Sequence, residues 1–328
     1  MIIQRGGIKE NLRVLVAACL HYSGLVKLAH WCTRRSGQRL IILNYHRATG
    51  GDLRRQLLYL RRHYRIMHLE DALEEFYTLH KEKKQRRDRR IPLVLTFDDG
   101  YRDNYTHGFA LAQQLRVPFT IFLIPGYLES REPFWWLAGI HLVCHAQAID
   151  THLHSARSAA EREAFLVTIR QALAVPSSVP LEEAVQPLTW PQVREMAVSG
   201  WASFGAHTMH HSILANLSDP AEVHREVTEC RTVLEQHLDH PIRIFAYPVG
   251  KPEHIGEVGL KSVQDAGYAW AVTTLYGTNS SQSDPHQLRR VAGDVSRHWL
   301  VMAAETSGVW KFFSHLWKNP LVSRMERN

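Results

Sequence analysis

Cysteine is scarce and scattered. Cys19, Cys32, Cys144 and Cys230 are the only four in 328 residues, and no two form a CxxC pair. That spacing excludes a disulfide-stapled extracellular scaffold and fits a reducing compartment with buried or inert thiols. No G-x-S-x-G elbow is present, which argues against a nucleophilic serine hydrolase. Neither a Walker A loop nor a dinucleotide fingerprint is found, and there is no internal repeat. Charge of one sign is not in large excess: 39 basic and 32 acidic side chains leave +7. The densest basic stretch, Lys81–Arg90, includes acids and reads as a solvated loop. No DNA- or RNA-binding signature accompanies it, so no nucleic-acid partner is expected.

Long apolar runs are also missing. Leu12–Cys32 is fairly apolar, but His21, Lys27 and His30 interrupt it, so it is no hydrocarbon span. Its continuous apolar part is too short for a convincing signal peptide, and Glu10 stands where a basic leader belongs. Val16-Ala17-Ala18-Cys19 looks like a lipoprotein cleavage site, yet the apolar pattern continues past Cys19. An amphipathic helix fits better, packed on the domain or lying on a membrane surface. The C-terminal tail has the same two readings. Val309, Phe312, Phe313, Leu316 and Trp317 recur at helical spacing, flanked by Lys311, Lys318, Arg324 and Arg327. The expected location is cytoplasmic, or peripheral on the inner face of a membrane.

What is present is the balance of a globular protein, 45% apolar and 22% charged. Seven short apolar runs have the length of buried strands: Leu40–Leu43, Leu93–Phe97, Phe119–Leu123, Trp201–Gly205, Ile244–Tyr247, Ala269–Thr273 and Leu288–Val291. Helical patterns separate most of them: Leu53–Arg62, Asp71–Tyr77, Asp103–Leu115, Pro191–Ser199, Pro220–Leu238 and Gly256–Ala266. Asp71, Asp103 and Asp219 are candidate N-caps, and Gly200 and Gly267 candidate stops. Alternating strand and helix implies parallel strands with crossover helices. Seven such units predict an α/β fold, a distorted (β/α)7-type parallel barrel. The expected division is an N-terminal helical segment (1–38), a catalytic domain (39–298) and a helical tail (299–328). Residues 126–187 are too long for a simple loop and form an insertion containing Phe134-Trp135-Trp136. It serves as a lid or groove wall, or is a helical excursion packed by its own aromatics.

In parallel barrels, function collects where strands end. Thr96-Phe97-Asp98-Asp99-Gly100 ends the second run, and its adjacent carboxylates repel unless a cation or shared proton compensates. After the fourth run, His207-Thr208-Met209-His210-His211 sets two imidazoles four residues apart. On a helical turn both would face one way, a spacing suited to one metal, with His210 a bystander. Asp99, His207 and His211 make a two-His, one-carboxylate set that leaves positions open for water and substrate. Asp98 is the neighbouring general base.

On these residues the chain resembles the polysaccharide deacetylase family, carbohydrate esterase family 4. The family's TFDDG motif stands unaltered at Thr96–Gly100 and its H-[ST]-x-x-H motif at His207–His211. The resemblance covers roughly Leu40 to Gly293. It implies a distorted barrel, Asp98 as base, and a divalent metal on Asp99, His207 and His211. Zn2+ is the expected cofactor, with Co2+ or Ni2+ as alternatives. The third motif departs from the family. Phe245-Ala246-Tyr247-Pro248-Val249-Gly250 lacks the arginine that steadies the catalytic aspartate, and Val249 replaces an aromatic. The Val249 backbone N–H still suits an oxyanion, a role that needs no particular side chain. In the fifth motif, Leu288-Arg289-Arg290 stands where the family places an acid histidine, and arginine cannot donate a proton. Either another group is the acid, or Arg289 or Arg290 replaces the missing arginine.

Candidates for the acid are His46, in Asn44-Tyr45-His46-Arg47 after the first run, and more weakly His254 and His286. Tyr247, Arg289 and Arg290 are candidate substrate-binding residues. The departures resemble the branch acting on exopolysaccharides, including poly-N-acetylglucosamine. The expected activity is metal-dependent removal of N-acetyl groups from an oligo- or polysaccharide. The alternatives are a catalytically weakened carbohydrate-binding protein and a carbohydrate O-acetyl esterase.

Overall fold

The computed structural model describes residues 6–36, 39–82, 90–130, 134–138 and 182–309, with isolated positions at 88, 132 and between 158 and 168. Most of the Lys81–Arg90 stretch, much of the 126–187 insertion and the tail beyond 309 lie outside the described residues.

Eight parallel strands, separated by helices except between the last two, make the sheet: β1 (Ile41–Tyr45), β2 (Tyr64–Met67), β3 (Ile91–Phe97), β4 (Phe119–Leu123), β5 (Ala202–Ala206), β6 (Ile244–Ala246), β7 (Trp270–Tyr276) and β8 (Leu288–Ala292). The sheet runs β1-β8-β7-β6-β5-β4-β3, and β1 pairs with β3 along its whole length, Ile41 opposite Leu93 to Tyr45 opposite Phe97. Seven strands therefore close into the expected distorted barrel. The eighth, β2, was not evident in the sequence. It pairs with Ile91–Val94 of β3, while β4 takes Thr96 and Phe97 on the same edge. Its four residues, Tyr-Arg-Ile-Met, are too few and too mixed to read as a strand.

The helices are α1 (Gly6–Tyr22), α2 (Leu25–Ser36), α3 (Leu53–His63), α4 (Leu69–Glu82), α5 (Ala110–Leu115), α6 (Pro125–Ser130), α7 (Trp135–Ala138), α8 (Trp190–Ser199), α9 (Pro220–Leu238), α10 (Pro252–Asp265) and α11 (Trp299–Ser307). Of the three expected N-caps, only Asp219 caps, accepting from the Ala221 N–H. Asp71 lies inside the first turn of α4. Asp103 makes no cap bond: Asn104–Phe109 winds as a π-helix, and Asp103 serves the β1–α3 loop instead. Gly256, expected to begin a helix, sits at a kink inside α10 with φ +66°.

Ile42, Val94, Phe122, Ile244, Val272 and Leu288 share a buried cluster with Leu69, Leu73 and Phe76 of α4. Arg243, just before β6, ion-pairs with Glu70 at 2.8 Å and also with Glu74. These contacts lay α4 across the N-terminal end of the barrel and seal it with apolar side chains, so the strands' C-terminal ends form the open mouth.

Residues 6–36 form two helices rather than one, broken at Ser23-Gly24, where Gly24 takes φ +85°. Ala17, Leu20 and Val26 pack against Leu300, Val301, Ala304 and Val309. Of the two readings for the tail, its described part is core-packed: α11 is buried through most of its length. No single described helix is long and apolar enough to cross a membrane; α1 and α2 meet that test only as a pair bent by 66°. Cys230 is buried, and Cys19 and Cys32 are exposed.

At the seam between α2 and the barrel, His30 is buried with its Nε2 3.1 Å from the Tyr64 hydroxyl. Burial, then the cations His63, Arg34, Arg39 and His21, push its pKa down to about 4 from 6.5. Between those values the unfolded chain takes a proton that the folded chain refuses. Stability is therefore full above pH 6.5 and declines as pH falls toward 4, by about 3 kcal/mol for His30 alone. Urea unfolding at pH 7 and pH 4.5 should show this loss, and His30→Gln should remove most of it. An unchanged slope in that variant would reject the assignment.

Candidate active site

The β3 strand is buried at every residue, and it delivers Asp98-Asp99-Gly100 to the barrel mouth. The Asp98 N–H donates to the Tyr45 carbonyl (2.9 Å), extending the β1–β3 ladder one step. The chain then turns within three residues. The Gly100 N–H donates to the Asp98 carbonyl at 2.9 Å with Asp99 at φ +72°, a γ-turn of the rare positive-φ kind. Gly100 also has φ +72°, and a Cβ there would stand 2.9 Å from Leu123 Cδ2. Such strain is stored where geometry matters more than local comfort. Its effect is to send the two adjacent carboxylates to different partners.

Asp98 meets Arg290. The guanidinium grips the carboxylate with both arms, Nη1 to Oδ1 at 2.7 Å and Nη2 to Oδ2 at 2.8 Å. Arg290 Nε donates to the Thr273 carbonyl (2.8 Å), and both members of the pair are buried. Burial pushes the Asp98 carboxyl up, but Arg290, His207 and His46 outweigh it and hold it below the usual carboxylate range. Of the two sequence options, Arg290 thus takes the place of the missing arginine, from β8. This corrects its assignment to substrate binding, because it is enclosed in the barrel. Arg289 points the other way along the strand, is exposed, and donates to the Tyr276 carbonyl, so it faces neither Asp98 nor the barrel interior. Tyr247 is corrected too: it is buried, with its hydroxyl donating to the His286 carbonyl.

Asp99 meets the two imidazoles. Its Oδ1 lies 3.4 Å from His207 Nε2 and 3.5 Å from His211 Nε2, and all three residues are buried. The histidines do not converge by helical spacing. No helix spans them; Thr208 (φ +62°) and His211 (φ +55°) fold the loop back instead. His210 turns away to the buried Glu226, which its backbone N–H and Nδ1 contact at 2.9 and 2.8 Å. His207 Nδ1 lies 2.7 Å from the Ala246 carbonyl. A carbonyl can only accept, so Nδ1 carries a proton, and Nε2, the nitrogen facing Asp99, is the one a cation would take in exchange for a proton.

This arrangement fits a cation. Ligand atoms of these three residues lie within 4.8 Å of one another, and Asp99 Oδ1 is buried without a hydrogen-bond partner. Tetrahedral zinc with bonds of about 2.0–2.1 Å sets its ligand atoms roughly 3.4 Å apart. That matches the carboxylate–imidazole separations and is long for a hydrogen bond. The field points the same way. Burial pushes His207 down, but the carboxylates of Asp99 and Asp98 and the Ala246 carbonyl outweigh it and raise its pKa. The pocket calls for positive charge.

Other residues border the mouth. His46 follows β1, is exposed, and lies close enough to Asp98 to lower its pKa. Its loop is held by Asp103, which accepts from Ala48 N, Thr49 N, Thr49 Oγ1 and Arg47 Nε at 2.7–3.1 Å. Asn104 Nδ2 adds a bond to the His46 carbonyl at 3.0 Å. Val249 sits in a second positive-φ γ-turn (φ +59°), with the Gly250 N–H donating to the Pro248 carbonyl at 2.6 Å. Thr274 Oγ1 donates to the Val249 carbonyl and pins the loop to β7. His286 contacts the Tyr268 carbonyl near the start of β7, far from the mouth, and His254 is half-buried on α10.

Trp136 was not singled out from the sequence as a site residue. Its ring centroid lies 4.4 Å from that of His211, its Nε1 donates to the Tyr101 hydroxyl (2.7 Å), and it stacks on Phe134. The aromatic triplet therefore packs on itself and also walls the site. Only the density of aromatics in Phe134-Trp135-Trp136 hinted at this.

A closed parallel barrel with a carboxylate and two imidazoles convergent at its mouth, and an arginine-clamped aspartate beside them, defines a class of hydrolase. Residues 85–271 match the family model for polysaccharide deacetylase. The chain belongs to the polysaccharide deacetylase family. A Bacillus subtilis (strain 168) protein of the same class, YxkH, is 23% identical over 265 residues, covering 80% of this chain and 74% of its own. Among solved structures, IcaB from Ammonifex degensii has a TM-score of 0.57 at 19% identity, covering 82% of this chain and 97% of its own. The Streptococcus pyogenes deacetylase PplD, solved with acetate, has a TM-score of 0.56 at 19% identity, covering 81% and 97%. Both share the fold.

Proposed function

We propose that this chain removes N-acetyl groups from the amino sugars of a bacterial polysaccharide or glycan precursor, with a divalent cation held by Asp99, His207 and His211. The observation that carries this reading is the buried set of three ligand atoms within 4.8 Å, one of them the unpartnered Asp99 Oδ1. Zinc suits the two imidazoles and one carboxylate, and cobalt or nickel suits them as well. Bound there, the cation supplies Lewis-acid activation of water and of the acetamide carbonyl.

Asp98 accepts the proton of the attacking water at a carboxylate oxygen. Arg290 is a positioning residue: its two-armed grip fixes the plane of that carboxylate and keeps it ionised. The Val249 N–H, on its own tight turn, donates to the oxyanion as the carbonyl becomes tetrahedral. His46, held at the mouth through Asp103 and Asn104, delivers the proton that lets the sugar amine leave. Trp136, ordered by Tyr101, gives the sugar or its acetyl methyl an apolar face. Acetate and a free amine are the products.

Purified protein should contain about one divalent ion per chain and release acetate from N-acetylglucosamine oligomers. A chelator should abolish the release, and added zinc should restore it. His207→Ala should lose the ion, with acetate release down at least about 100-fold. Full release from chelated protein would reject the reading. Glycan binding without acetate would favour a catalytically weakened binding protein. A preference for acetylxylan over N-acetylated oligomers would favour an O-acetyl esterase.

A further inference from the structure

Half of the large apolar side chains exposed among the described residues sit on α1 and α2, although these helices make up a small part of the chain. On α1, Leu12 (57% exposed), Leu15 (61%) and Tyr22 (76%) follow one another at helical spacing and form one stripe. On α2, Leu28 and Trp31 do the same, both at least half exposed. The opposite faces, with Ala17, Leu20 and Val26, are packed against α11. Both stripes therefore turn away from the body of the protein.

Cations accompany the stripes. Arg13, Lys27, Arg34 and Arg35 are exposed beside them, and the Arg35 guanidinium lies 4.0 Å above the Trp31 ring. Glu10 is the single acid between residues 6 and 36. An apolar face ringed by cations, with Trp and Tyr among its exposed residues, has the chemistry of a helix that lies in a lipid headgroup layer.

We infer that the bent α1–α2 pair docks the enzyme onto an anionic membrane surface. Charge complementarity selects this occupant over a second copy of the chain. Two such faces pressed together in a symmetric contact would oppose cation to cation. The packing against α11 selects surface docking over spanning. A pair that crossed the bilayer would have to give up the buried contacts of Ala17, Leu20 and Val26. The inference is independent of the metal reading and stands or falls on different residues.

The test is flotation of the full metal-loaded chain with vesicles of phosphatidylcholine alone or of phosphatidylcholine with phosphatidylglycerol. Wild type should rise with the anionic vesicles and bind neutral ones far more weakly, with binding falling as salt rises. Lys27→Gln/Arg34→Gln/Arg35→Gln should weaken anionic binding about fivefold per charge removed, on the order of 100-fold in all. Leu28→Ser/Trp31→Ser should weaken binding to both vesicles at least about tenfold. Val198→Ser, at an exposed apolar residue on α8, should change nothing. The charge variant alters only exposed side chains and carries the test alone should the apolar variant misfold. The inference is overturned if wild type floats with neither vesicle, or if the α1–α2 variants bind as wild type does. A dimer in solution that Leu28→Ser/Trp31→Ser dissolves, without vesicle binding, would also overturn it and assign the face to self-association.

Discussion

Asp98→Asn should keep its bound metal and lose turnover by roughly 10²–10⁴-fold, the usual range for removing a general base. The substitution preserves shape, and Asp98 is not among the three ligand residues, so metal content should match wild type. What changes is chemical capacity. An amide takes no proton at ordinary pH, and its NH2 would face a guanidinium that has only donors. Substrate binding should change little, so the loss should fall on kcat with KM near that of wild type. In the wild type, Arg290 holds Asp98 below the usual carboxylate range. The base is therefore ionised throughout the neutral range, and activity governed by it should fail only in acid, as pH drops through that lowered pKa. Equal turnover in Asp98→Asn and wild type would remove Asp98 from the chemistry.

Arg290→Met should damage both stability and the pH profile. The Asp98–Arg290 pair is buried, with both carboxylate oxygens engaged at 2.7 and 2.8 Å. Removing one partner strands the other's charge away from water, at a cost of about 3–5 kcal/mol. Part of that strain is relieved if Asp98 takes up a proton, so its pKa should rise. The acid limb of kcat should move upward with it. A merely structural arginine would lower the amount of folded enzyme and leave that limb in place, which makes the pH profile the informative measurement. Arg290→Lys should recover the limb in part, because a single ammonium restores charge without the two-armed grip.

The barrel was legible because its strands are short apolar runs placed between amphipathic helices, a pattern local to each segment. Phe119–Leu123 and Pro220–Leu238 form an element with those same bounds. The TFDDG and HTMHH segments were legible for a related reason: their residue types are rare in such proximity. So was the meeting of Asp99 with His207 and His211, but not the backbone geometry that achieves it. His207 and His211 meet through two residues of positive φ rather than a helical turn, and no side-chain spacing encodes that conformation. Strand alternation requires Arg289 and Arg290 to face opposite ways, yet both lie beside apolar residues, so the sequence could not say which enters the barrel. Asp103 has the look of a helix cap, but its carboxylate is taken by a loop more than fifty residues earlier in the chain. Tyr247 lies in a site motif and is nevertheless buried, because its hydroxyl finds the carbonyl of His286 at 3.1 Å. Apart from the local turn at Thr208 and His211, each miss is a long-range pairing that overrode a local signal.

The most direct measurement is anomalous diffraction from crystals of the metal-loaded protein, collected on both sides of the absorption edge of the metal it carries. One peak should lie about 2.0–2.2 Å from a carboxylate oxygen of Asp99 and the Nε2 atoms of His207 and His211. No peak among those atoms, or an ion held by other residues while acetate release persists, would contradict the account.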